Sequence, residues 1–480
     1  MSAPHGSGDA EIDAAGVFDQ LADRQLGPVV PDDERVLSEP PTKIVGRTPS
    51  RAVDGACHRG IEDIDPASFA VISTHVAPSG SASIAIVPPM EPSPMHPRRI
   101  STPIRISGLT RPRYAARVYS GPIVDCDIHH DWPSQDALLP YLSAGWREYA
   151  TRSGGRQPMP VIPSEVHPNP GGVFRDDAWP PEGGPPGSSH ALMEKQLLGP
   201  FRVERGLLTF GAGTYVAANA NPYWAAELAR AANDWSIDHW LDAGDDRLYG
   251  TALLANQLPD EAARELRRIG GHPRIAAGLL ATNGIGKPFG HPLFHPIYAA
   301  AEELGLPIAI HAAGESFASM RVSPVGSGVP SLYLEHHTLI PQGIMIHLVS
   351  LIVHGVFEKF PGLRVLLMEG GVAWIPAVLW RFDMDFRGLR REAPWLRRPP
   401  SEYFYEHFRV TTQPLEIAPS RRHMHRLLEL VGAEDILCFS SDYPHWDTDE
   451  VADIGRSIPE AWHRKVFHDN ATELFGWNGG

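Results

Sequence analysis

The sequence places carboxylates and imidazoles side by side at the end of one apolar run. The stretch VDCDIHH covers residues 124–130, and Asp127 and His129 within it are two positions apart. In a β-strand, residues two apart point to the same face. A carboxylate and an imidazole on one face are metal ligands or acid–base groups, and they are costly to bury without a partner. This stretch is therefore the first candidate for chemistry.

Three more polar residues end apolar runs farther along the chain. His311 lies in LPIAIHA, Glu369 ends LRVLLMEG and Asp442 ends ILCFSSD. Brought together with the first pair, these groups would repel one another or stay protonated unless a cation were present. Two carboxylates and two neutral imidazoles balance a 2+ ion and suit Zn²⁺, Mn²⁺ or Fe²⁺, with one position open for water. We therefore predict a divalent metal held by Asp127, His129, His311 and Asp442.

The elements that must position these residues follow from the pattern after residue 118, where short apolar runs alternate with amphipathic helical segments. A doubly wound open sheet needs similar elements, but the polar strand ends favour a closed barrel, in which all carboxyl ends meet on one rim. We predict an α/β fold, a (β/α)8 TIM barrel of the metal-dependent hydrolase type. The eight predicted strands are PIVDCDIH, ERGLLTF, LYGTALLA, IAAGLLAT, LPIAIHA, LRVLLMEG, FRVTTQP and ILCFSSD.

The chain divides into two parts by composition. Residues 1–118 are rich in Pro, Ser, Gly and Ala and show little periodicity, which predicts a low-complexity, disordered extension. Residues 119–480 are predicted to form the barrel domain. Within them, residues 131–200 are a Gly/Pro-rich connection too long for an ordinary βα loop, and we interpret this insertion as a lid over the site.

The charge and cysteine content limit the partners and the compartment. With 42 Lys+Arg against 57 Asp+Glu the net charge is −15, which argues against nucleic acid and favours a small-molecule substrate. The three cysteines form no CxxC pair, which is typical of the reducing cytosol. No signal peptide and no apolar run of about 18 residues is evident in the sequence, so we expect a cytoplasmic protein without a membrane partner.

Six stretches carry a resemblance to a known family: VDCDIHH, PIYAAAEELGLPIAIHAAGE, GVFEKFPGLRVLLMEGGVAWIP, FRVTTQPLE, FSSDYPHWD and DNATELFGW. The segment from about residue 121 to 478 resembles the amidohydrolase-related family of the aminocarboxymuconate semialdehyde decarboxylase type, within the amidohydrolase superfamily. The family takes metal ligands from an HxH, ExH or DxH pair on strand one, a histidine on strand five and an aspartate on strand eight. The resemblance thus implies the same four ligands, Asp127, His129, His311 and Asp442.

Two positions depart from the family's pattern. Strand four has no lysine, so the carbamylated-lysine bridge of dinuclear superfamily members is unavailable. Glu369 stands where many members have an acid–base histidine, so it could act as the base, hold a water or bind a second metal. A subgroup with a similar SDYPHWD ending includes dinuclear Fe or Mn enzymes, which makes His337 and His445 candidates for a second metal or for the pocket. His347 and His354, seven apart, are predicted instead to lie on a helix face.

These observations support three functional hypotheses. The leading one is hydrolysis or non-oxidative decarboxylation of a small carbonyl or carboxylate compound, with Glu369 or Asp442 as the catalytic proton-transfer group. Arg175, Arg202 and Arg205 are candidates to bind a substrate carboxylate. The alternatives are a dinuclear Fe/Mn oxygenase or thioesterase of the same family and a non-catalytic partner subunit. The expected assembly is a homodimer or a heteromer with a paralogous subunit.

Overall fold

The computed structural model describes residues 119–152, 173–281, 283, 285–312 and 332–477, so the predicted extension at 1–118 lies outside the described residues. Eight parallel strands form one sheet in chain order. All eight predicted strands and the predicted (β/α)8 barrel are confirmed. The strands are β1 Ile123–His130, β2 Val203–Phe210, β3 Leu248–Leu253, β4 Ile275–Leu280, β5 Ile308–His311, β6 Val365–Met368, β7 Phe408–Thr411 and β8 Leu437–Cys438.

The barrel closes between β1 and the chain that follows β8. The backbone N–H of Cys126 donates to the carbonyl oxygen of Phe439 at 2.9 Å. Two further bonds continue this ladder beyond β8: Asp442 N–H donates to Asp127 O at 3.1 Å, and His129 N–H donates to Tyr443 O at 2.7 Å. The seam therefore sets the Asp127 and Asp442 backbones side by side, although 315 positions separate them in the sequence.

Helices cover the outside of the sheet between the strands. The α-helices are Ala144–Arg152, His190–Met193, Pro222–Ser236, Pro259–Ile269, His295–Leu304, Tyr333–Leu339, Pro341–Val353, Val356–Lys359, Ile375–Leu389, Pro400–His407, Arg421–Val431, Ala433–Ile436, Val451–Ser457 and Asn470–Leu474. Shorter 3-10 segments are Gln135–Tyr141, Ala212–Ala218, Pro292–Phe294 and Glu460–Trp462, and π-helical turns are Glu194–Leu198, Ile237–Leu241 and Lys465–Asp469.

The barrel wall explains why β1 reads as a continuous buried run. All eight residues of β1 are buried, because helices cover one face of a parallel strand and the barrel interior covers the other.

The helix Pro222–Ser236 shows how the outer layer is fixed locally. Its N-cap residue Asn221 accepts hydrogen bonds from the N–H groups of Tyr223 and Trp224, and Pro222 occupies the first turn. Local capping and apolar periodicity thus place the helices around the strands.

Among the described residues, the helical stretch Tyr333–Val353, which joins the helices Tyr333–Leu339 and Pro341–Val353, is long and apolar enough to cross a membrane, with a mean hydropathy of 1.3. A third of its most apolar window is buried against the rest of the protein. A single helix of this kind is weak evidence for a membrane span, because helices in the cores of globular proteins pass the same test.

His347 is a buried histidine that packs in the hydrophobic core. It lies on the helix Pro341–Val353 as predicted, it is buried, and its Nδ1 accepts a hydrogen bond from the N–H of Phe289 at 3.1 Å. Its ring stacks on that of Phe289, with centroids 4.2 Å apart. Burial lowers the pKa of His347 from 6.5 to about 3. This residue is therefore neutral in the folded protein at neutral pH.

We expect His347 to make the protein sensitive to acid. Because the folded-state pKa lies below the unfolded value, the unfolded chain takes up this proton first, so stability present above pH 6.5 is lost as the pH falls toward about 3. The loss is up to about 1.4 kcal/mol per pH unit. His347→Gln should show a shallower fall in the free energy of unfolding, measured by urea denaturation between about pH 7 and pH 4.5. Equal slopes for this variant, the exposed His423→Gln control and the wild type would contradict the assignment.

Candidate metal centre

The polar strand ends converge on one point at the carboxyl rim of the barrel. Asp127 and His129 come from β1, His311 ends β5, Glu369 directly follows β6, and Asp442 lies four residues beyond β8. Ligand atoms of Asp127, His129, His311 and Glu369 all lie within 4.8 Å of one another. Asp442 joins the same centre through His129 and Glu369, with which it forms a second group of this kind. The structure therefore brings together all five of these residues.

The distances within the cluster are those of atoms that face a common centre. His129 Nε2 lies 2.9 Å from Asp442 Oδ1, 3.4 Å from Glu369 Oε1 and 3.6 Å from Asp127 Oδ1. His311 Nε2 lies 3.4 Å from Asp127 Oδ2 and 3.3 Å from Glu369 Oε1. Ligands that bind one ion at about 2.0–2.2 Å in tetrahedral geometry are separated by about 3–3.5 Å. The spacing is thus compatible with a single bound cation.

Backbone carbonyls and a hydroxyl orient these groups. His129 Nδ1–H donates to the carbonyl of Phe210 at 3.2 Å, and His311 Nδ1–H donates to the carbonyl of Ala312. With Nδ1 engaged, the Nε2 lone pair of each ring is available on the side of the cluster. The Thr209 hydroxyl donates to Asp127 Oδ1 at 2.6 Å and fixes that carboxylate. The cluster is therefore pre-oriented by β2 and by the end of β5.

Two of the acidic residues occupy a costly backbone conformation. Glu369 has φ 51° and Asp442 has φ 58°, in the left-handed region that side chains other than glycine rarely adopt. Such strain persists only where the surrounding structure enforces it, and it clusters at functional sites. The strained turns direct both carboxylates toward His129 rather than along their strands.

The pKa values reflect a crowded, buried set of charges. Burial and the neighbouring Glu369 carboxylate hold the pKa of Asp442 well above its usual range. Burial would also raise the pKa of Glu369, but the imidazoles of His311 and His129 outweigh it and hold that pKa well below its usual value. The pKa of His311 is raised to about 10, because the Glu369 and Asp127 carboxylates outweigh the effect of burial. Without a cation the cluster must therefore retain protons.

The residues present fit a divalent metal. Asp127 Oδ2 and His311 Nε2 are buried and have no hydrogen-bond partner among the described residues. Buried polar atoms without a partner are rare and indicate an absent ligand or ion. Three carboxylates with neutral imidazoles are a donor set that Zn²⁺, Mn²⁺ and Fe²⁺ accept. The predicted divalent-metal cofactor is consistent with this donor set.

His445 and His337 occupy different places. His445 Nδ1 lies 2.6 Å from Asp442 Oδ1 and 3.7 Å from Glu369 Oε1, so it belongs to the second group of potential ligands. His337 Nε2 lies 3.3 Å from Asp447 Oδ2 and belongs to neither group. The structure thus places His445 beside the metal centre and His337 in the pocket beyond it.

Two cavities open on the centre and meet at Glu369. The larger, about 480 Å³, is lined by His129 and His311 together with Trp132, Phe174 and Tyr215. The smaller, about 300 Å³, is lined by Tyr333, His336, His337, Glu416, Trp446 and Asp447. Val173, Tyr215, Ala312, Glu369 and His445 line both. A substrate therefore has access to the centre from two sides.

The sequence-based predictions omit several lining residues. Asp131 lines the larger cavity, and its carboxylate accepts hydrogen bonds from the N–H groups of Trp132 and Ala212. A signal for it existed, since Asp127, His129 and Asp131 alternate along one face. Val173 and Phe174 had no such signal. They lie in the predicted insertion, and Phe174 stacks on His445 with ring centroids 5.6 Å apart.

The arginines suggested as carboxylate binders lie elsewhere. Neither cavity is lined by Arg175, Arg202 or Arg205. Arg175 forms an ion pair with Asp177, and Arg205 donates to the carbonyl of Trp477 at the opposite end of β2. That prediction was therefore wrong: Arg202 and Arg205 lie at the amino end of β2, away from the rim, and the guanidinium of Arg175 pairs with Asp177 instead of lining a cavity.

A family model described as amidohydrolase matches residues 124–477. The chain belongs to the amidohydrolase family. The predicted resemblance is thereby confirmed. A gamma-resorcylate decarboxylase from Rhodococcus jostii is 32% identical over 270 residues, which cover 52% of this chain and 77% of that relative. A 2-amino-3-carboxymuconate-6-semialdehyde decarboxylase from Dictyostelium discoideum is 29% identical over 167 residues, 35% of this chain and 44% of that one.

Solved structures of amidohydrolase-family proteins share the fold. A dihydroxybenzoic acid decarboxylase from Polaromonas with bound manganese and the inhibitor 2-nitroresorcinol matches with a TM-score of 0.54 and 22% identity. The match covers 75% of this chain and 98% of that one. At this identity the likeness supports the barrel architecture alone.

Proposed function

We propose that this protein is a metal-dependent carboxy-lyase that removes CO2 from a small aromatic carboxylate without oxidation. The observation that carries the proposal is the set of metal-binding side chains at the rim, with two buried ligand atoms left without partners. The names of the relatives, which are decarboxylases, support the same reaction class. Asp127, His129, His311 and Asp442 are the proposed ligands.

The reaction defines roles for the residues around the ligands. A divalent cation held by the four ligands would polarise the substrate's carboxylate oxygens and stabilise negative charge as the C–C bond breaks. The electron pair of that bond stays on the ring carbon, which then takes a proton while CO2 leaves. We assign the transfer of this proton to Glu369, because it lines both cavities and its side chain is 14% exposed, whereas that of Asp442 is 3% exposed. Asp442 is the alternative proton-transfer group.

The insertion is the proposed cover of the site. Two backbone hydrogen bonds attach it to the chain after β8: Trp446 N–H donates to Val173 O at 2.9 Å, and Arg175 N–H donates to Pro444 O at 3.1 Å. Phe174 lies over His445 and presents an apolar surface to the larger cavity. By excluding water, this surface would strengthen the electrostatic interactions that the reaction uses.

We extend the proposal to a cytoplasmic enzyme that acts on a small molecule and uses neither nucleic acid nor membrane as a partner. Its expected assembly is a homodimer or a heteromer with a paralogous subunit. On the helix Ile375–Leu389, Trp380 and Met384 lie one turn apart on the same face and are each more than half exposed, which offers an apolar contact surface. Sedimentation of the purified chain alone and with a paralogue tests this assembly.

Metal removal and restoration test the proposed reaction. Protein purified without chelator should release CO2 from 2,6-dihydroxybenzoate or a related aromatic acid, lose this activity when EDTA removes the metal, and regain it with Mn²⁺. We expect the metal to be required because the proposed reaction uses a divalent cation to stabilise the negative charge that develops as the C–C bond breaks. Full activity in protein shown to be metal-free would contradict the proposal, as would the absence of CO2 from every aromatic acid tested.

A dinuclear enzyme, such as an Fe/Mn oxygenase or thioesterase, is the second candidate. It is favoured by the second group of ligand atoms, in which His129, Glu369, Asp442 and His445 lie within 4.8 Å of one another. Metal content decides between the two. One equivalent of metal per chain supports the mononuclear decarboxylase, and two equivalents that include iron support the dinuclear alternative.

A further inference from the structure

The paired cavities offer more space than a single aromatic ring requires. Pockets for drug-sized ligands occupy about 300–1,000 Å³, and the larger cavity alone, at about 480 Å³, falls within this range. The smaller cavity adds about 300 Å³ on the far side of Glu369 and His445. A molecule that reacts beside Glu369 can therefore extend in two directions. The smaller cavity is available for a substituent that the proposed reaction does not itself need.

The walls of the two cavities differ in chemistry. Trp132, Val173, Phe174, Pro185 and Ala212 give the larger cavity an apolar surface away from the ligands. Such a surface suits an aromatic ring, since rings bury a large apolar area and pack edge to face or offset. The ring that carries the reacting carboxylate therefore fits the larger cavity, and the smaller one receives what extends from it.

The smaller cavity combines acidic groups with aromatic rings. Asp447 and Glu416 line it in addition to the residues of the metal centre, and no Lys or Arg side chain is among the described residues that line it. The centroid of the His337 ring lies 5.5 Å from that of Tyr333 and 5.5 Å from that of Trp446, and His337 Nε2 lies 3.3 Å from Asp447 Oδ2. Carboxylates beside aromatic faces attract cations, through charge and through the ring quadrupole.

Hydrogen bonds hold the acidic groups in place. Asp447 Oδ2 accepts from Gln413 Nε2 at 3.0 Å, and Glu416 Oε2 accepts from the N–H groups of Val372 and Ala373 at 2.9 and 3.2 Å. Gln413 is buried, and its Oε1 has no hydrogen-bond partner in the part of the chain that is described. This leaves an acceptor beside two fixed carboxylates, an arrangement that suits a donor such as an ammonium group.

We propose that the smaller cavity binds a positively charged amino substituent of the substrate. The substrate class is then an aromatic carboxylate whose ring occupies the larger cavity and whose alkylamine extension passes Glu369 and reaches Asp447. This inference rests on the proposed function for the position of the reacting carboxylate. An anionic extension is disfavoured, because it would lie beside the Asp447 and Glu416 carboxylates. Among the described residues that line the cavity, the imidazole of His337 pairs with Asp447 and no Lys or Arg is present.

A set of three probes tests the charge preference. They are 2,6-dihydroxybenzoate and two ring-extended derivatives of equal length, one ending in an amine and one ending in a carboxylate. Calorimetry on the Mn²⁺-loaded full chain should give a dissociation constant about tenfold lower for the amine than for the carboxylate derivative. Asp447→Asn should reduce this ratio by about threefold or more, whereas Asp246→Asn, an exposed aspartate at the opposite end of the barrel, should leave it unchanged.

The outcomes separate this inference from the proposed function. Equal binding of the two extended probes, or a ratio that Asp447→Asn does not alter, would overturn the charged-substituent site. If the binding preference holds but no probe releases CO2, the carboxy-lyase proposal fails and the cation-binding cavity stands. If CO2 is released with no preference between the extended probes, the reaction stands and the cavity assignment fails.

Discussion

Asp442→Asn should abolish metal binding and with it the release of CO2. The substitution keeps the shape of the side chain but removes the negative charge that lies 2.9 Å from His129 Nε2. Outer-shell partners of metal ligands alone are worth about 10–100-fold in metal affinity, so loss of a ligand charge should weaken Mn²⁺ binding by more than about 100-fold. Metal content after dialysis and CO2 release from the aromatic acid measure the two effects.

The Asp442→Asn variant should nevertheless fold. Asparagine tolerates the left-handed backbone at φ 58° at least as well as aspartate does. Without metal the variant should melt no lower than the metal-free wild type, because a buried carboxylate repelled by Glu369 has been replaced by a neutral group. Asp246→Asn, on an exposed side chain, is the matched control. Wild-type metal occupancy and activity in Asp442→Asn would remove this residue from the ligand set.

Glu369→Gln should lower the turnover number with little change in metal content. Glutamine fills the same space 3.3 Å from His311 Nε2 but cannot take up or give a proton. Positioned acid–base groups contribute about 10²–10⁴-fold, so we expect a loss in kcat within this range. Rates of CO2 release at saturating substrate, together with metal analysis, provide the measurement.

The metal content of Glu369→Gln also distinguishes the mononuclear enzyme from the dinuclear alternative. If Glu369 binds a second ion, the variant should lose one of two equivalents of metal, which would favour the dinuclear alternative. Glu303→Gln, at an exposed ion pair with Arg267, controls for the loss of a carboxylate elsewhere. A kcat within threefold of wild type and unchanged metal content would contradict a role for Glu369 in proton transfer.

The convergence of ligands distant in sequence was predictable because the barrel imposes it. Asp127 lies in the carboxyl-terminal half of β1, His311 ends β5 and Asp442 follows β8, and parallel strands bring their carboxyl ends to one rim. The alternation within VDCDIHH also placed Asp127 and His129 on one face. Once eight strands are recognised, the positions of these side chains follow from geometry that does not depend on the details of packing.

The positions of the remaining histidines and of the insertion depended on tertiary contacts, which the hydrophobic periodicity of the sequence does not encode. His445 reaches Asp442 because its N–H donates back to the Asp442 carbonyl at 2.9 Å and closes a tight turn after β8. His337 lies instead beside Asp447 because the helix Tyr333–Leu339 carries it there. Val173 and Phe174 reach the site by pairing with the chain at His445. Sequence spacing could not distinguish these cases.

By itself, the sequence determined the class of fold and the donor atoms, because strand length, alternation and residue type are local properties. Only the tertiary structure decided which further groups join the predicted ligands. It set Glu369 at the junction of two cavities, placed Arg175 and Arg205 away from both, and surrounded His337 with rings and a carboxylate. These outcomes depend on how loops pack against the rim, where contacts between residues far apart in sequence outweigh local preference.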